Sequence, residues 1–196
     1  MSAFLRNPPW RGSPPTLKGQ QVYLRTPQLS DWSEWARLRA ASRDFLTPWE
    51  PTWLEDELTR NAYRLRLRRY GRDARDGIGY AFFVFRREDD SLLGGITLSN
   101  VRRGVTQSCS MGYWMGQQYA GQGLMQDAVT TSLSYVFDEL GLHRLEAACL
   151  PHNEASTTVL LKTGFQKEGH ARKYLRINGK WSDHTLFAML QSDRRD

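Results

Sequence analysis

Cysteine is scarce in this sequence, and long apolar runs are absent. Cys109 and Cys149 are the two cysteines among 196 residues. They are too few for the disulfide framework of a small secreted domain, and neither has a metal-type spacing to another ligand. We therefore expect no metal site and interpret both cysteines as small core residues. No stretch approaches the roughly 18 consecutive apolar residues of a membrane helix.

The beginning of the chain lacks the apolar core of a secretory signal peptide. Together with the low cysteine content, this predicts a cytoplasmic, reduced protein without membrane contact. Residues 1–18 contain four prolines and three basic residues but no acid, a composition that favours a flexible, extended arm. Residues 19–192 are numerous enough for one domain with its own core.

Positive charge is in excess in this chain, whereas its aromatic share is ordinary for a globular protein. The formal net charge is +6, the sequence pI is about 9.5, and 12% of the residues are aromatic. Such an excess of positive charge favours an acidic partner or an acidic cofactor, without pointing to nucleic acid in particular.

Hydrophobic periodicity predicts the element order β-α-α-β-β-β-α-β-α-β-β, a mixed α/β domain with about seven strands and about four helices. Ser30 is the expected N-cap of the first helix, and Thr52 to Glu55 fits a capping box for the second. Asn178-Gly179 predicts a tight hairpin between the last two strands.

The stretch QYAGQGLM (118–125) joins a strand to a long helix through Gly121 and Gly123. The first N–H groups of a helix have no partner within it, and they carry the positive end of the helix dipole. Glycine lets an anion approach them closely, so the loop predicts either a phosphate site or a plain turn. A Walker loop is excluded because no Gly-Lys-Ser/Thr follows, and the dinucleotide fingerprint needs a third glycine.

A second helix start, at Asn153 with Ser156 and Thr157, follows the next strand. Where parallel strands splay apart, ligands dock between their carboxyl ends. One helix start would then offer amides to a diphosphate, and the other would offer polar groups to a peptide-like arm. Coenzyme A combines a diphosphate with such an arm.

Several segments carry a resemblance to a known family. The segments are PWEP (48–51), SNVRRG (99–104), GYWMGQQYAGQGLM (112–125), PHN (151–153), LLKTGFQKEG (160–169) and YLRINGKWSDH (174–184). They resemble the GNAT superfamily and, within it, the RimJ-type ribosomal-protein-alanine N-acetyltransferases, over about residues 20–190. The resemblance implies the GNAT acyl-CoA N-acyltransferase fold, with a mixed sheet splayed at the cofactor cleft. It also implies acetyl transfer from acetyl-CoA to a protein N-terminal amine, without a covalent enzyme intermediate.

The resemblance also assigns cofactor contacts. The amides of the loop would hold the diphosphate, Gln118 occupies the family's Arg-or-Gln position, and the strand end at 113–115 would pair with the pantetheine amides. Asn153 would bond the same arm, although it is also a simple N-cap, and both roles can hold. The cofactor residues so predicted are Tyr113, Trp114, Met115, Gln118, Gly121, Gln122, Gly123, Leu124, Met125, Asn153 and Ser156.

Catalytic assignments depart from the common family pattern. Leu160 stands where many members carry a tyrosine that acts as general acid, so Ser156 is the candidate near the departing sulfur. Alternatively, Ser156 is only a hydroxyl in the first turn of the helix.

Lys173 stands where relatives place a carboxylate base. The candidate bases that remain are Glu50, Asp183 and Glu146, and we expect the first two to reach the substrate amine. His143, His152 and His184 are interpreted as structural.

The acceptor is predicted to be a protein N-terminus, most simply that of a ribosomal protein beginning with alanine. Five aromatics would line its groove or else pack in the core: Phe45, Trp49, Trp53, Tyr174 and Trp181.

The seven arginines from Arg60 to Arg75 form either a solvated helix face or a contact with ribosomal RNA. Two other functions remain open, acetylation of a small-molecule amine and a non-catalytic basic protein that binds RNA or the ribosome. A monomer and a homodimer are equally compatible with the sequence.

Overall fold

The computed structural model describes residues 14–194 and places eight strands in one sheet. The strands are β1 (Leu17–Lys18), β2 (Val22–Arg25), β3 (Tyr80–Arg86), β4 (Leu92–Arg102), β5 (Ser108–Met115), β6 (Arg144–Cys149), β7 (Gln166–Ile177) and β8 (Lys180–Leu190). Their order across the sheet is β1-β2-β3-β4-β5-β6-β8-β7. Among these strands β5 and β6 form the parallel pair, and the other neighbours are antiparallel.

Five α-helices accompany the sheet. They are α1 (Trp32–Ala41), α2 (Arg43–Leu46), α3 (Arg60–Arg75), α4 (Leu124–Ser134) and α5 (Glu154–Lys162). A π-helical turn, Tyr135–Glu139, continues α4 toward Gly141. Of the helices in residues 14–194, none is long and apolar enough to cross a bilayer.

Helices on both faces explain why β3 is apolar without alternation. Phe82 and Val84 belong to the core cluster that contains the apolar side of α4. Phe83 and Phe85 point the other way and pack with Trp35 of α1 and with α3. Each fully buried phenylalanine stabilises the fold by about 1.5–3 kcal/mol, so both layers favour the observed position of β3 in the sheet.

The predicted arm ends earlier than residue 18. Leu17 and Lys18 pair with β2 in an antiparallel ladder, and Leu17 is buried. This strand is the eighth, beside the seven that periodicity predicts. Two residues are too short to show a period, and the pairing arises from the tight turn at Gly19, whose N–H donates to the Val22 carbonyl at 2.8 Å. Residues 1–13, the rest of the predicted arm, lie outside the described part of the chain.

Both helix N-caps predicted from the sequence differ from those in the structure. Ser30 lies in a 3-10 turn and α1 begins at Trp32, because the Asp31 carboxylate accepts the Gln28 N–H at 2.7 Å and turns the chain there. The second helix predicted from the sequence corresponds to α3, which begins at Arg60 and not near residue 55. Its N-cap is Thr59, whose hydroxyl accepts the N–H of Ala62 at 3.2 Å.

The late hairpin is confirmed. Asn178 and Gly179 connect β7 to β8 with φ angles of 42° and 80°, the left-handed pair that a two-residue hairpin of this kind requires. The N–H of Asn178 also donates to the Glu50 carbonyl at 2.9 Å, which joins the hairpin to the loop that follows α2.

A cleft opens where the parallel pair ends. The pairing of β5 with β6 runs from Ser108 opposite Arg144 to Met111 opposite Ala147, and it stops there. On its other side β5 stays paired with β4 as far as Met115. One backbone edge of β5 is therefore free from residue 112 to residue 115, as the predicted splay requires.

Candidate active site

The cleft between β5 and β6 widens into a cavity of about 810 Å³. The ends of these two strands, the first turns of α4 and α5, the loop Trp49–Pro51 and the β7–β8 hairpin form its wall. Most of the residues predicted to bind a cofactor come together in this wall. Carboxyl ends of parallel strands and helix N-termini meet here for the same topological reason.

The glycine loop forms one end of the cavity. Gly121 and Gly123 have φ angles of 76° and 79°, which side-chain-bearing residues rarely adopt, and the space where a Cβ would stand is open at both. Gly123 is the N-cap of α4, which begins at Leu124. Within residues 14–194, the N–H groups of residues 121–126 donate no hydrogen bond. A row of free donors at a helix start is a site for an anion such as a diphosphate.

Gln118 does not contribute its side chain to the cavity wall. Its backbone carbonyl instead accepts a hydrogen bond from Gln122 Nε2 at 3.0 Å. The residue lies in a 3-10 turn, Gln117–Tyr119, just before the glycine loop. Gln118 therefore braces the loop through its backbone carbonyl, and its assignment as a cofactor residue stays a prediction.

Tyr113, Trp114 and Met115 lie along the free edge of β5 and line the cavity. An extended ligand with amide groups can pair with such an edge as an added strand. The edge leads from the glycine loop toward α5, so a ligand held at both would lie along β5.

The start of α5 carries a pair of hydroxyl groups. Asn153 Oδ1 accepts the Ser156 N–H at 3.0 Å, the expected N-cap contact. The Ser156 hydroxyl lies 2.8 Å from the Tyr113 hydroxyl, which is also 3.2 Å from the Ser156 carbonyl. Burial raises the pKa of Tyr113, so its phenol stays protonated and can donate. Leu160, at the position where many family members carry a tyrosine acid, is buried in the same wall without a hydroxyl.

Glu50 lines the cavity, but its carboxylate is already engaged. Its oxygens accept hydrogen bonds from Arg39 Nη1 at 3.0 Å and Nη2 at 2.5 Å, and from Trp53 Nε1 at 2.7 Å. The Arg39 guanidinium is 7% exposed and lies 4.9 Å from the ring centroid of Trp114. This buried ion pair fixes the loop around Glu50 against α1 and β5, a role that the sequence did not indicate for Arg39.

Asp183, expected to reach the substrate amine, does not lie in the cavity wall, so this geometry gives that expectation no support. Its oxygens contact His170 Nε2 at 2.9 Å and the Lys173 N–H at 2.9 Å, and these bonds lower the pKa of the Asp183 carboxyl. Side chains alternate along a strand, so its neighbour His184 points the other way and lines the cavity.

Glu146 is not a cavity residue either. On β6 its side chain pairs with Arg144, whose guanidinium also holds Glu168 on β7. This cluster lies on the surface, at the beginning of β6, and β6 reaches the cavity only at its other end.

Burial raises the pKa of Cys109 to about 12, and the thiol stays protonated away from the cavity wall. Cys149 does line the wall, and its sulfur lies 3.6 Å from the Thr157 hydroxyl. Within residues 14–194 no hydrogen bond joins a histidine to either thiol. Neither cysteine therefore has the base that an activated nucleophile needs.

A model of the acetyltransferase (GNAT) domain matches residues 21–166. The chain belongs to the GNAT acetyltransferase family. The sheet, its splay and the cavity are accordingly those of the GNAT fold, as the sequence predicted, and the cofactor of this fold is acetyl-CoA.

Individual GNAT relatives cover most of the chain. The [ribosomal protein uS5]-alanine N-acetyltransferase of Escherichia coli is 36% identical over 154 residues, which are 79% of each chain. The structure of Mycobacterium smegmatis RimJ in complex with CoA-disulfide is 30% identical, with a TM-score of 0.88 over 93% of this chain and 90% of that one. The ribosomal-protein-S5-alanine acetyltransferase of Vibrio fischeri is 31% identical, with a TM-score of 0.84 over 93% and 100%.

Proposed function

We propose that this GNAT protein transfers the acetyl group of acetyl-CoA to the N-terminal α-amine of a protein, specifically a ribosomal protein that begins with alanine. The observation that carries the proposal is the row of free amides at residues 121–126, which lines the same cavity as the free edge of β5. The ribosomal-protein-alanine relatives from two bacteria support the choice of acceptor. Ribosomal proteins are made in the cytoplasm, so we propose that the enzyme acts there.

The proposed cofactor position follows the cavity wall. The amides of Gly121 to Met125 hold the diphosphate, and the edge at Tyr113 to Met115 pairs with the pantetheine amides. Asn153 combines its N-cap contact with a bond to the pantetheine arm. The thioester then lies near the hydroxyl pair of Tyr113 and Ser156, and a β5 amide polarises its carbonyl oxygen.

Direct attack by the amine suits an N-terminal acceptor. An α-amine has a pKa of about 7.7–8.0, so about a tenth of it is neutral at pH 7, whereas less than about a thousandth of a lysine amine is neutral. The amine forms the new C–N bond, the C–S bond breaks, and the sulfur leaves with the electron pair. Ser156 is the proposed donor to that sulfur, with Tyr113 as the hydroxyl that replaces its proton.

The sequence kept Glu50 as a candidate base, and we propose a different role for it. Both of its oxygens accept bonds from Arg39 and Trp53, so it shapes the acceptor side of the cavity without collecting a proton. A cavity for a polyamine would need free carboxylates. Apart from Glu50, the described wall contains one other, Glu154, which argues against a small polycation as acceptor.

Thiol release from acetyl-CoA tests the acceptor. The substrate is a peptide beginning with alanine, and the matched control is the same peptide with a blocked α-amine and a free lysine side chain. We expect release with the first peptide only. Equal release with both, or release with neither, contradicts the proposed function.

We also propose that α3 contacts ribosomal RNA. Six of its seven arginines are exposed: Arg60, Arg64, Arg68, Arg69, Arg72 and Arg75. Arg66 is turned inward and paired with Glu57. Arg60, Arg64 and Arg68 are spaced by four residues, so they share one helix face and can follow a phosphate backbone.

Salt dependence of ribosome binding tests this contact. Changing Arg64 and Arg68 to glutamine removes two charges from the face, and we expect the slope of log affinity against log salt to fall by about one for each lost contact. Arg102→Gln, an exposed arginine on β4, is the control and should leave the slope unchanged. Binding that does not depend on salt in the unmodified protein contradicts the proposal.

A further inference from the structure

His184 is a buried histidine in the wall of the cavity. Its side chain is 2% exposed, and it lines the same space as Tyr113 and Ser156. The next residue, Thr185, pairs with Cys149 at the end of β6, so His184 lies where β8 passes the splay. Sequence pattern alone favoured a structural role, because one isolated histidine on a late strand carries no signal for catalysis.

Hydrogen bonding fixes which ring nitrogen of His184 carries the proton. Nδ1 lies 2.9 Å from the carbonyl oxygen of Ser182. A carbonyl only accepts, so Nδ1 is the protonated nitrogen and Nε2 keeps its lone pair in the neutral ring. Within residues 14–194 no group bonds to Nε2. The ring of Tyr174 meets the imidazole edge to face at 5.8 Å and holds its orientation.

We infer that His184 is the general base that accepts the proton of the attacking amine through Nε2. The inference rests on the proposed acetyl transfer and assigns its missing base. In the step, the amine nitrogen forms a bond to the thioester carbon and gives one proton to Nε2, which makes the ring an imidazolium. The C–S bond breaks, and the thiolate leaves with its electron pair and takes a proton from the Ser156–Tyr113 hydroxyl pair. The imidazolium then gives its proton to solvent, and solvent returns a proton to the hydroxyl pair. The products are an amide and free coenzyme A.

The surroundings of His184 favour this assignment over a carboxylate base. Glu50 is held by Arg39, and Asp183 lies on the other face of β8. Histidine is the side chain most often used for proton transfer, and its charge changes near neutral pH. Besides Tyr174 on its ring, the ionisable groups of the described cavity wall are Glu50, Tyr113, Tyr119, Cys149, Glu154, Lys162 and Arg176.

His184→Asn separates the base from the hydrogen bond that holds it. Asparagine can still donate to the Ser182 carbonyl, but it has no basic nitrogen, so the fold is expected to persist while kcat falls by about 10²-fold. The KM for acetyl-CoA should not change. The matched control is His170→Asn, because His170 is exposed and contacts Asp183 outside the cavity. Its kcat should stay that of the unmodified enzyme.

The pH profile separates a base from a structural residue. The ratio of kcat for the unmodified enzyme to kcat for His184→Asn should fall as the pH is lowered, because a protonated imidazole cannot accept the proton. The ionisation of the substrate amine cancels in this ratio. Added imidazole should restore part of the variant's activity. An unchanged kcat, or a large ratio that does not vary with pH, overturns the inference.

Nitrogen NMR of the protein with labelled histidine tests the inference without any acceptor. The neutral His184 ring should be protonated at Nδ1, and a ring protonated at Nε2 overturns the assignment. If no peptide is acetylated by the unmodified enzyme, the proposed acceptor fails, and the tautomer still decides whether His184 can serve as the base.

Discussion

Gly123 is the residue on which the proposed diphosphate site depends most directly. Its φ of 79° and the open space at its Cβ position mean that a side chain would strain the backbone and occupy room left for a ligand. We expect Gly123→Leu to weaken coenzyme A binding by at least about tenfold, since a blocked amide row loses charge-assisted bonds. Isothermal titration calorimetry with coenzyme A measures the effect.

Gly104 provides the matched control for that variant. It also has a positive φ, 70°, with open space at its Cβ position, and it lies outside the cavity wall. Gly104→Leu should lose about 1–2 kcal/mol of unfolding free energy, like Gly123→Leu, and should bind coenzyme A normally. If Gly123→Leu also binds normally, the loop is a plain turn.

Tyr113 and Ser156 are expected to act as one unit. Ser156→Ala should lower kcat by about tenfold, less than a typical general acid contributes, because a thiol with a pKa of about 8.5 leaves with little help. Tyr113→Phe should have a similar effect. The double variant should be no slower than either single variant, since removing one hydroxyl already breaks the pair. Additive losses in steady-state kinetics would mean that the hydroxyls act independently.

At the scale of elements, the loop after α2 is attached to α1 by the Arg39–Glu50 pair. Glu50→Gln leaves a buried guanidinium without its countercharge. We expect a loss of about 2–3 kcal/mol in urea unfolding, below the 3–5 of a fully buried pair because Glu50 is 19% exposed. The activity of the folded fraction should change little.

A surface pair supplies the comparison for Glu50. Glu168 is 42% exposed and pairs with Arg144, so Glu168→Gln should cost less than about 1 kcal/mol. A Glu50→Gln protein that is fully stable but about 10²-fold slower would make Glu50 the general base and contradict the role proposed here for His184.

Elements that carry their own local chemistry were predictable from the sequence. The hairpin at Asn178-Gly179 and the start of α4 at Gly123 follow from residues that tolerate a left-handed backbone. The start of α3 was not predictable, because Thr52 and Thr59 both precede acidic or helix-forming residues, and the sequence does not show which of them is the N-cap. The side-chain bond from Thr59 to the N–H of Ala62, which decides between them, is visible only in the folded chain.

At the scale of the whole molecule, the sequence predicted the mixed sheet and the cofactor loop, but not the contacts that join distant segments. Asp127 on α4 accepts backbone bonds from Gln20, Gln21 and Val22, more than 100 residues earlier. Arg39 meets Glu50 at a separation of 11 residues, and His184 reaches the cavity wall, also through packing of the folded chain. One sequence contains no signal that pairs such positions, so the residues proposed here for the acceptor side and the base could not be assigned from it.

Acetyl transfer to a ribosomal protein can be measured by mass analysis. Unacetylated ribosomal proteins are incubated with the enzyme and acetyl-CoA, and their intact masses and N-terminal fragments are measured. We expect one added acetyl group on the α-amine of a protein that begins with alanine. Acetylation of lysine side chains alone, or of no ribosomal protein, would contradict it.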